Sequence, residues 1–403
     1  MENTLDQSTA DALAVSIKAS IAEIIKKHGP RPPGSPGERA FQKQLQQELK
    51  AEGIQTTMEA FPVAQKAFMA MPLVCALLML SSLPLYWVAP LLAPLPILLA
   101  IVVFVCELLL YKHILSYVFP KTEALNLCAP LPARDTARQR ILLVGHADGA
   151  YEWRLHRCFP RLFPYFSIPL ILAFLYLLGT TLASAVTGGV FSGDVFWEWL
   201  GLSHAFVLPA LLLGLLYTNF KVVSPGAADN LSGSLCVTTL VKWLKQSNLA
   251  LKNTEITAIV TGCEEAGLEG AKAYVRAHRK ELDPKTTVAI AVDTVSEFDQ
   301  LAVYTKDLNG RVKHDKKVCA LIRDAGKKCG VDLPDASITV GASDAAAFTQ
   351  AGIPAAAICA MDHAPAHYYH NRRDLPEIVE NACLAKTLQL LWQVCLDYDQ
   401  SAE

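Results

Sequence analysis

The sequence predicts an α/β protein: a three-layer α/β/α domain on a mainly parallel mixed sheet, interrupted by four transmembrane helices in two hairpins. Three observations predict it. Short apolar runs of strand length alternate with helical patterns. Two long apolar blocks, roughly 67–111 and 164–220, interrupt that alternation. The residues able to bind metal cluster outside both blocks, in segments 112–163 and 221–403.

Residues 8–27 set Ala, Leu, Val and Ile among Lys and Glu at helical spacing, which predicts an amphipathic helix. Gly29-Pro30-Arg31-Pro32-Pro33-Gly34-Ser35-Pro36-Gly37 is a rigid loop rich in turn residues. A second helix over about 37–52 carries Phe41, Leu45 and Leu49 on one face, with Gly53 as its stop. Residues 54–63 read as a strand.

From Ala67 to Cys106 there is no charged residue. At about 1.5 Å per helical residue this is enough for two spans of a roughly 30 Å hydrocarbon core. Pro84, Pro90, Pro94 and Pro96 mark the turn, Tyr86 and Trp87 serve as interfacial aromatics, and Glu107 is expected at the interface. The second block repeats the device: 162–193 is uncharged, Asp194 and Glu198 mark a tip, and 199–220 returns. Each block crosses twice, so segments 1–66, 112–163 and 221–403 share one side and form a discontinuous globular domain. Lys66, Lys112, Arg154, Arg157, Arg161 and Lys221 flank the spans on that side, while the tips carry no Lys or Arg. The positive-inside rule then puts the globular domain in the cytoplasm, with the plasma membrane as the expected bilayer.

Beyond the spans, residues 141–144 are a short buried strand ending at His146. Residues 226–244 are a loop entering a helix, with Asp229 near its start. Residues 255–260 form a strand ending just before Glu264, followed by a helix over about 267–278, and 287–292 is a strand ending at Asp293. Three chemistry-bearing fragments thus fall just beyond strand ends, where open α/β sheets place their sites.

Composition agrees. Of 403 residues, 52% are apolar, above the roughly 45–50% of ordinary soluble domains. Mean hydropathy is +0.28. A net charge of −2 with 18% charged residues argues against nucleic acid or another polyanionic partner. Eleven cysteines are scattered singly without a Cys-x-x-Cys pair, which favours a reducing compartment over a disulfide framework. The first 65 residues hold no apolar stretch of signal-peptide length, so entry into the membrane is expected through the internal blocks.

Five separated fragments carry the chemistry: Gly-His-Ala-Asp at 145–148, Gly-Ala-Ala-Asp-Asn at 226–230, Cys-Glu-Glu-Ala-Gly at 263–267, Val-Asp-Thr at 292–294 and Tyr-His-Asn-Arg-Arg-Asp at 369–374. A zinc ion takes about four nitrogen or oxygen ligands, and two ions sharing a water need one bridging carboxylate. Asp229 is the expected bridge, with His146 and Asp293 on one Zn²⁺ and Glu265 and His370 on the other. Glu264 is left free of metal as general base and then proton donor to the leaving amine. Asp148 accepts the second ring N–H of His146 and fixes its tautomer. His363 and His367 read as surface or substrate-side residues, and Cys263 as a wall residue.

These motifs resemble the di-zinc exopeptidase family that includes aminopeptidase Y, bacterial leucyl aminopeptidase and glutamate carboxypeptidase II. Segment 29–39, Gly-Ala-Ala-Asp-Asn-Leu-Ser-Gly at 226–233 and Glu-Glu-Ala-Gly-Leu-Glu-Gly at 264–270 are similar to family segments. So are Ser343-Asp344 with Phe348, Ala351-Gly352-Ile353-Pro354, and Tyr369-His370 with Asp374. The resemblance covers the chain outside the apolar blocks and implies the same ligand roles, with peptide as substrate. Three departures bear on substrate preference. Ala345 stands where the family has His, Gly149 stands where it has Ser or Thr, and a whole hairpin separates His146 from Asp229. That interruption suggests a site facing the membrane surface, with access shaped by residues near 151–163 and 221–225. The expectation is therefore a membrane-anchored metallopeptidase, specifically an aminopeptidase. The alternatives are a single-zinc acyltransferase resembling glutaminyl cyclase, or a non-catalytic membrane module on the same fold.

Overall fold

The computed structural model describes residues 5–308, 310–338, 341–362 and 366–401. The chain splits into two compact units. Met1–Gln65, Lys121–Ala150 and Val223–Glu403 form one, and Lys66–Pro120 with Tyr151–Val222 forms the other.

The first unit is built on a nine-stranded sheet. Across it run Thr57–Val63, Thr122–Leu131, Thr254–Thr261, Gln139–His146, Thr287–Val295, Ala355–Ala360, Leu301–Asp307 and Asp335–Ser337, with Val312–Lys313 paired to Leu301–Asp307. The four strands from Thr254–Thr261 to Ala355–Ala360 are mutually parallel. The flanks beyond them turn antiparallel, as at Leu127↔Val260 and Ile358↔Val303. The expected parallel character therefore belongs to the centre of the sheet. Thr287–Val295 and Ala355–Ala360 are buried at every position, as strands covered on both faces must be.

The face on which side chains are buried alternates with the strand period. Ile141 and Leu143 join a core with Ile17, Ile21, Leu45, Leu235 and Leu388, from helices Gln7–His28, Pro36–Ala51, Gly233–Gln246 and Asn381–Gln400. Leu142 and Val144 are equally buried but outside that core, towards the sheet's other face. Caps set the helix starts: Thr9 N donates to Asp6 Oδ1 at 3.0 Å, and Glu38 N to Ser35 Oγ at 3.2 Å.

Because the central strands are parallel, their C-terminal ends share one edge. Two glycines let Gly233–Gln246 abut it. A Cβ on Gly145 would lie 2.7 Å from Ser234 N, and one on Gly233 only 2.0 Å from Val292 O. Any side chain there would push the turn that carries Asp229 away from the strand ends.

The second unit contains three helices long and apolar enough to cross a membrane: Phe68–Val88, Pro160–Ser192 and Val195–Leu216. Pro94–Leu109 is apolar but shorter, about 24 Å at 1.5 Å per residue, so the fourth expected span falls below that length. These helices expose large apolar side chains, among them Leu98, Val102, Ile171, Leu175, Val186 and Leu212. Several expectations for this region change. Pro84 lies inside Met71–Val88 rather than in the turn, a position that apolar bundles tolerate. Tyr86 is buried and donates to Trp197 O at 2.9 Å instead of facing an interface. Glu107 is also buried, accepting from Leu115 N at 2.7 Å. Asp194 caps Val195–Ser203 through Phe196 N.

Candidate functional site

The strand-end edge collects every one of the expected ligands. His146 closes its strand, and its Nε2 lies 3.1 Å from Asp229 Oδ1 and 3.7 Å from Asp293 Oδ1. His370 Nε2 lies 3.2 Å from Asp229 Oδ2 and 3.3 Å from Glu265 Oε1. Two clusters result, His146–Asp229–Asp293 and Asp229–Glu265–His370, each with its donor atoms within 4.8 Å of one another. Asp229 serves both, one oxygen to each. Glu264 stands outside both clusters, with Oε2 4.0 Å from His146 Nε2. Asp293 differs from expectation in one respect: it lies inside its strand, which continues to Val295.

The donor set fits cations. His146 Nε2, Asp229 Oδ2 and Glu265 Oε1 are buried without a hydrogen bond of good geometry, although opposing atoms stand 3.1–3.7 Å away. That spacing is too long for strong hydrogen bonds and suits an ion held between the atoms. Burial pushes Glu264 well above the ordinary carboxylate range, with His146 opposing and Asp344 and Asp293 adding to it. Burial likewise raises Glu265, reinforced by Asp229 and Glu264. His146 is drawn down by burial but raised further by Glu264, Asp148, Asp229 and Asp293, and ends well above an ordinary imidazole. So many buried carboxylates in one place call for positive charge.

Side chains around the ligands fix them. Asp148 Oδ1 lies 3.3 Å from His146 Nδ1, and its two oxygens also accept from Glu264 N and Glu265 N, each at 3.0 Å. Asp374 accepts from Ala228 N at 2.7 Å and Asp229 N at 3.1 Å, and burial pushes it to about 7. Asn230, joined to Asp229 by a cis peptide bond, donates to Val292 O and accepts from Gly233 N. Cys263, Thr294 and His370 hold positive φ of 58°, 48° and 50°. Three non-glycine residues in this region beside one site show local geometry imposed by the surroundings.

Two residues of segment 29–39 belong to this arrangement without having been assigned to it from sequence. Arg31 is fully buried, and its guanidinium donates to Ala147 O at 3.1 Å, Pro225 O at 2.8 Å and Gly226 O at 3.3 Å. It thereby ties the His146 loop to the Asp229 loop. Ser224 N donates to Ala150 O at 2.8 Å, so the chain leaves and re-enters this unit at adjacent points. Glu38 is also fully buried, and accepts from Gly34 N and Cys263 N. Its sequence signal was its place on the stripe of Phe41, Leu45 and Leu49: a carboxylate on an apolar helix face needs partners.

Cys263 is buried and its thiol is pushed well above the ordinary value by burial, with Glu38 adding to it, so it is not an ionised nucleophile. His367 is exposed, and its carbonyl accepts from Asn371 Nδ2. His363 lies outside the described residues. Tyr369 stacks on His370 at 3.9 Å. Asp344, beside Ala345, accepts from Thr261 Oγ1 at 2.5 Å, and burial pushes it to about 7.

The sequence profile of peptidase family M28 matches residues 216–395, a stretch that holds Asp229, Glu264, Glu265, Asp293 and His370. Over that stretch, a little under half of the chain, the sequence is similar to the M28 peptidases, in keeping with the di-zinc exopeptidase resemblance of its motifs. Comparison with curated protein sequences gives no match. Among solved structures the fold is similar to a zinc aminopeptidase from Bacillus subtilis, with a TM-score of 0.58, 14% identity and 95% of each chain covered. An aminopeptidase from Aneurinibacillus sp. strain AM-1 matches with a TM-score of 0.56 and 13% identity, over 95% of this chain and 93% of that one. A glutaminyl cyclase from an Acidobacteriales bacterium matches with 0.55 and 13%, over 100% of this chain and 98% of that one. At these identities the likeness is one of fold.

Proposed function

We propose that this protein is a membrane-anchored di-zinc metallopeptidase that removes residues from the N-terminus of peptides. The observation that carries the reading is Asp229, shared between two ligand clusters with Glu264 beside them and outside both. Zinc bound there would acidify a water and polarise the scissile carbonyl. His146, Asp229 and Asp293 would hold one ion, and Asp229, Glu265 and His370 the other. Glu264 would take the proton of the attacking water and pass it to the departing amine, a role its place beside both clusters but outside them suits. Asp148 keeps the His146 ring oriented, with Nδ1 turned to the carboxylate and Nε2 to the ligand cluster.

The test uses the full chain in detergent or nanodiscs. Wild type is expected to hold two zinc ions by elemental analysis and to cleave free-amine aminoacyl reporters but not N-blocked ones. A chelator should abolish cleavage, and zinc should restore it. Cyclisation of N-terminal glutamine with one zinc per chain would favour the acyltransferase reading, which the cyclase-like fold keeps in play. Two zinc ions with cleavage of blocked peptides only would remove the aminopeptidase assignment.

Three helices of membrane-spanning length and their exposed apolar side chains support anchoring in a bilayer. The basic flanks at Lys66, Lys112, Arg154, Arg157, Arg161 and Lys221 support a cytoplasmic globular unit. A reporter fused to the C-terminus is accordingly expected to score cytoplasmic. An external score would reverse this orientation.

A further inference from the structure

The turn that presents Glu264 and Glu265 is held in an unusual way. Its four successive backbone N–H groups each donate to a side chain from a distant segment. Gly262 N donates to Asn126 Oδ1 at 3.1 Å, and Cys263 N to Glu38 Oε1 at 2.7 Å. Glu264 N and Glu265 N take the two oxygens of Asp148. Among the described residues no ladder or helix bond fixes these donors, so the N–H side of the turn rests on two carboxylates and an amide, while Cys263 O accepts from Glu269 N and Glu264 O from Gly267 N and Leu268 N. Successive N–H groups in such a turn form a concave anion-binding nest, here filled by the protein itself.

Glu38 reaches the turn with one oxygen and the entry to its own helix with the other. It stands on the apolar stripe of Pro36–Ala51, fully buried, and its second oxygen accepts from Gly34 N at 2.6 Å. Cys263, its partner, is the residue held at positive φ immediately before the glutamate pair. We propose that Glu38 is a positioning residue for Glu264. By holding Cys263 in the left-handed region, it aims the base at the attacking water without touching substrate or ion. The N-terminal segment is on this view part of the catalytic apparatus rather than a surface wrap. The inference rests on the metallopeptidase reading.

The experiment compares wild type, Glu38→Gln, Glu38→Ala and Gln42→Ala in the full chain. Gln42 lies on the same helix, also buried, but donates to Leu125 O and Val260 O rather than to the turn. Glu38→Ala is expected to lower kcat about 100-fold with KM little changed, the scale of an ångström-level misplacement of a reacting group. Glu38→Gln keeps an acceptor oxygen and should recover about tenfold of that loss. Gln42→Ala should lower the thermal midpoint while kcat stays within about twofold of wild type, as a support for strands alone would. Equal kcat in Glu38→Ala and wild type overturns the assignment. So does a kcat in Gln42→Ala that falls in step with Glu38→Ala, because packing alone would then explain both. If Glu38→Ala does not fold, the recovered variant Glu38→Gln decides: unchanged kcat overturns the proposal. A wild type that binds no zinc and cleaves nothing fails the underlying reading instead, so the two failures are separable.

Discussion

Glu264→Gln is expected to lower kcat by about 10³-fold while both zinc ions stay bound, within the range attributable to a positioned general base. Glutamine matches glutamate in shape, and the backbone of residue 264 is held through its N–H by Asp148 rather than through its side chain. The substitution therefore removes the proton acceptor and leaves the turn in place. Glu264 is outside both ligand clusters, its oxygen 4.0 Å from the nearest histidine nitrogen, so metal content should not change. KM should move little, because substrate binding does not need the proton acceptor. Steady-state kinetics with elemental analysis on the same preparation reads both quantities. An unchanged kcat removes Glu264 from the mechanism. Loss of one zinc with loss of activity would make it a ligand instead.

Much of this architecture was readable in the sequence, for physical reasons that also mark where the reading stops. A fully buried parallel strand must be almost wholly apolar, so residues 141–144, 255–260 and 287–292 announced themselves and placed their fragments at one sheet edge. Residue types able to bind a metal are few, which made His146, Asp229, Glu265, Asp293 and His370 visible as a candidate set. The antiparallel flanks were not visible, since strand direction depends on connections rather than on apolar pattern. Pro84 misled because a proline that breaks a helix in water is tolerated within an apolar bundle. Tyr86 looked interfacial by type, yet Trp197 O supplies the partner that lets its hydroxyl be buried. Arg31 and Glu38 lie in a loop and on a helix far from the ligands in sequence. Their partners are backbone atoms, which carry no residue-type signal at all.

Asp229→Ala is expected to cost the protein both zinc ions and reduce peptide cleavage to background. The two ligand clusters share this residue alone, Oδ1 lying 3.1 Å from His146 Nε2 and Oδ2 3.2 Å from His370 Nε2. Truncation leaves His146 with Asp293 on one side and Glu265 with His370 on the other, about half the four ligands that zinc prefers. It also takes away the negative charge that lies between two imidazoles. The fold around the position should survive, because Asp374 holds the backbone through Ala228 N and Asp229 N, and Asn230 remains tied to Val292 O. Asp229→Asn makes the finer distinction. Its amide offers one oxygen to one cluster and turns an NH₂ group towards the other, so it should retain one ion and lose the second. Zinc titration of the apoprotein followed by thermal unfolding separates these outcomes. Zinc binds only the folded site, so it should raise the wild-type midpoint. It should raise the midpoint less for Asp229→Asn and leave that of Asp229→Ala unchanged. A variant lacking the carboxylate that still binds two zinc ions with wild-type affinity would show that Asp229 bridges nothing, and the paired-ion reading would go with it.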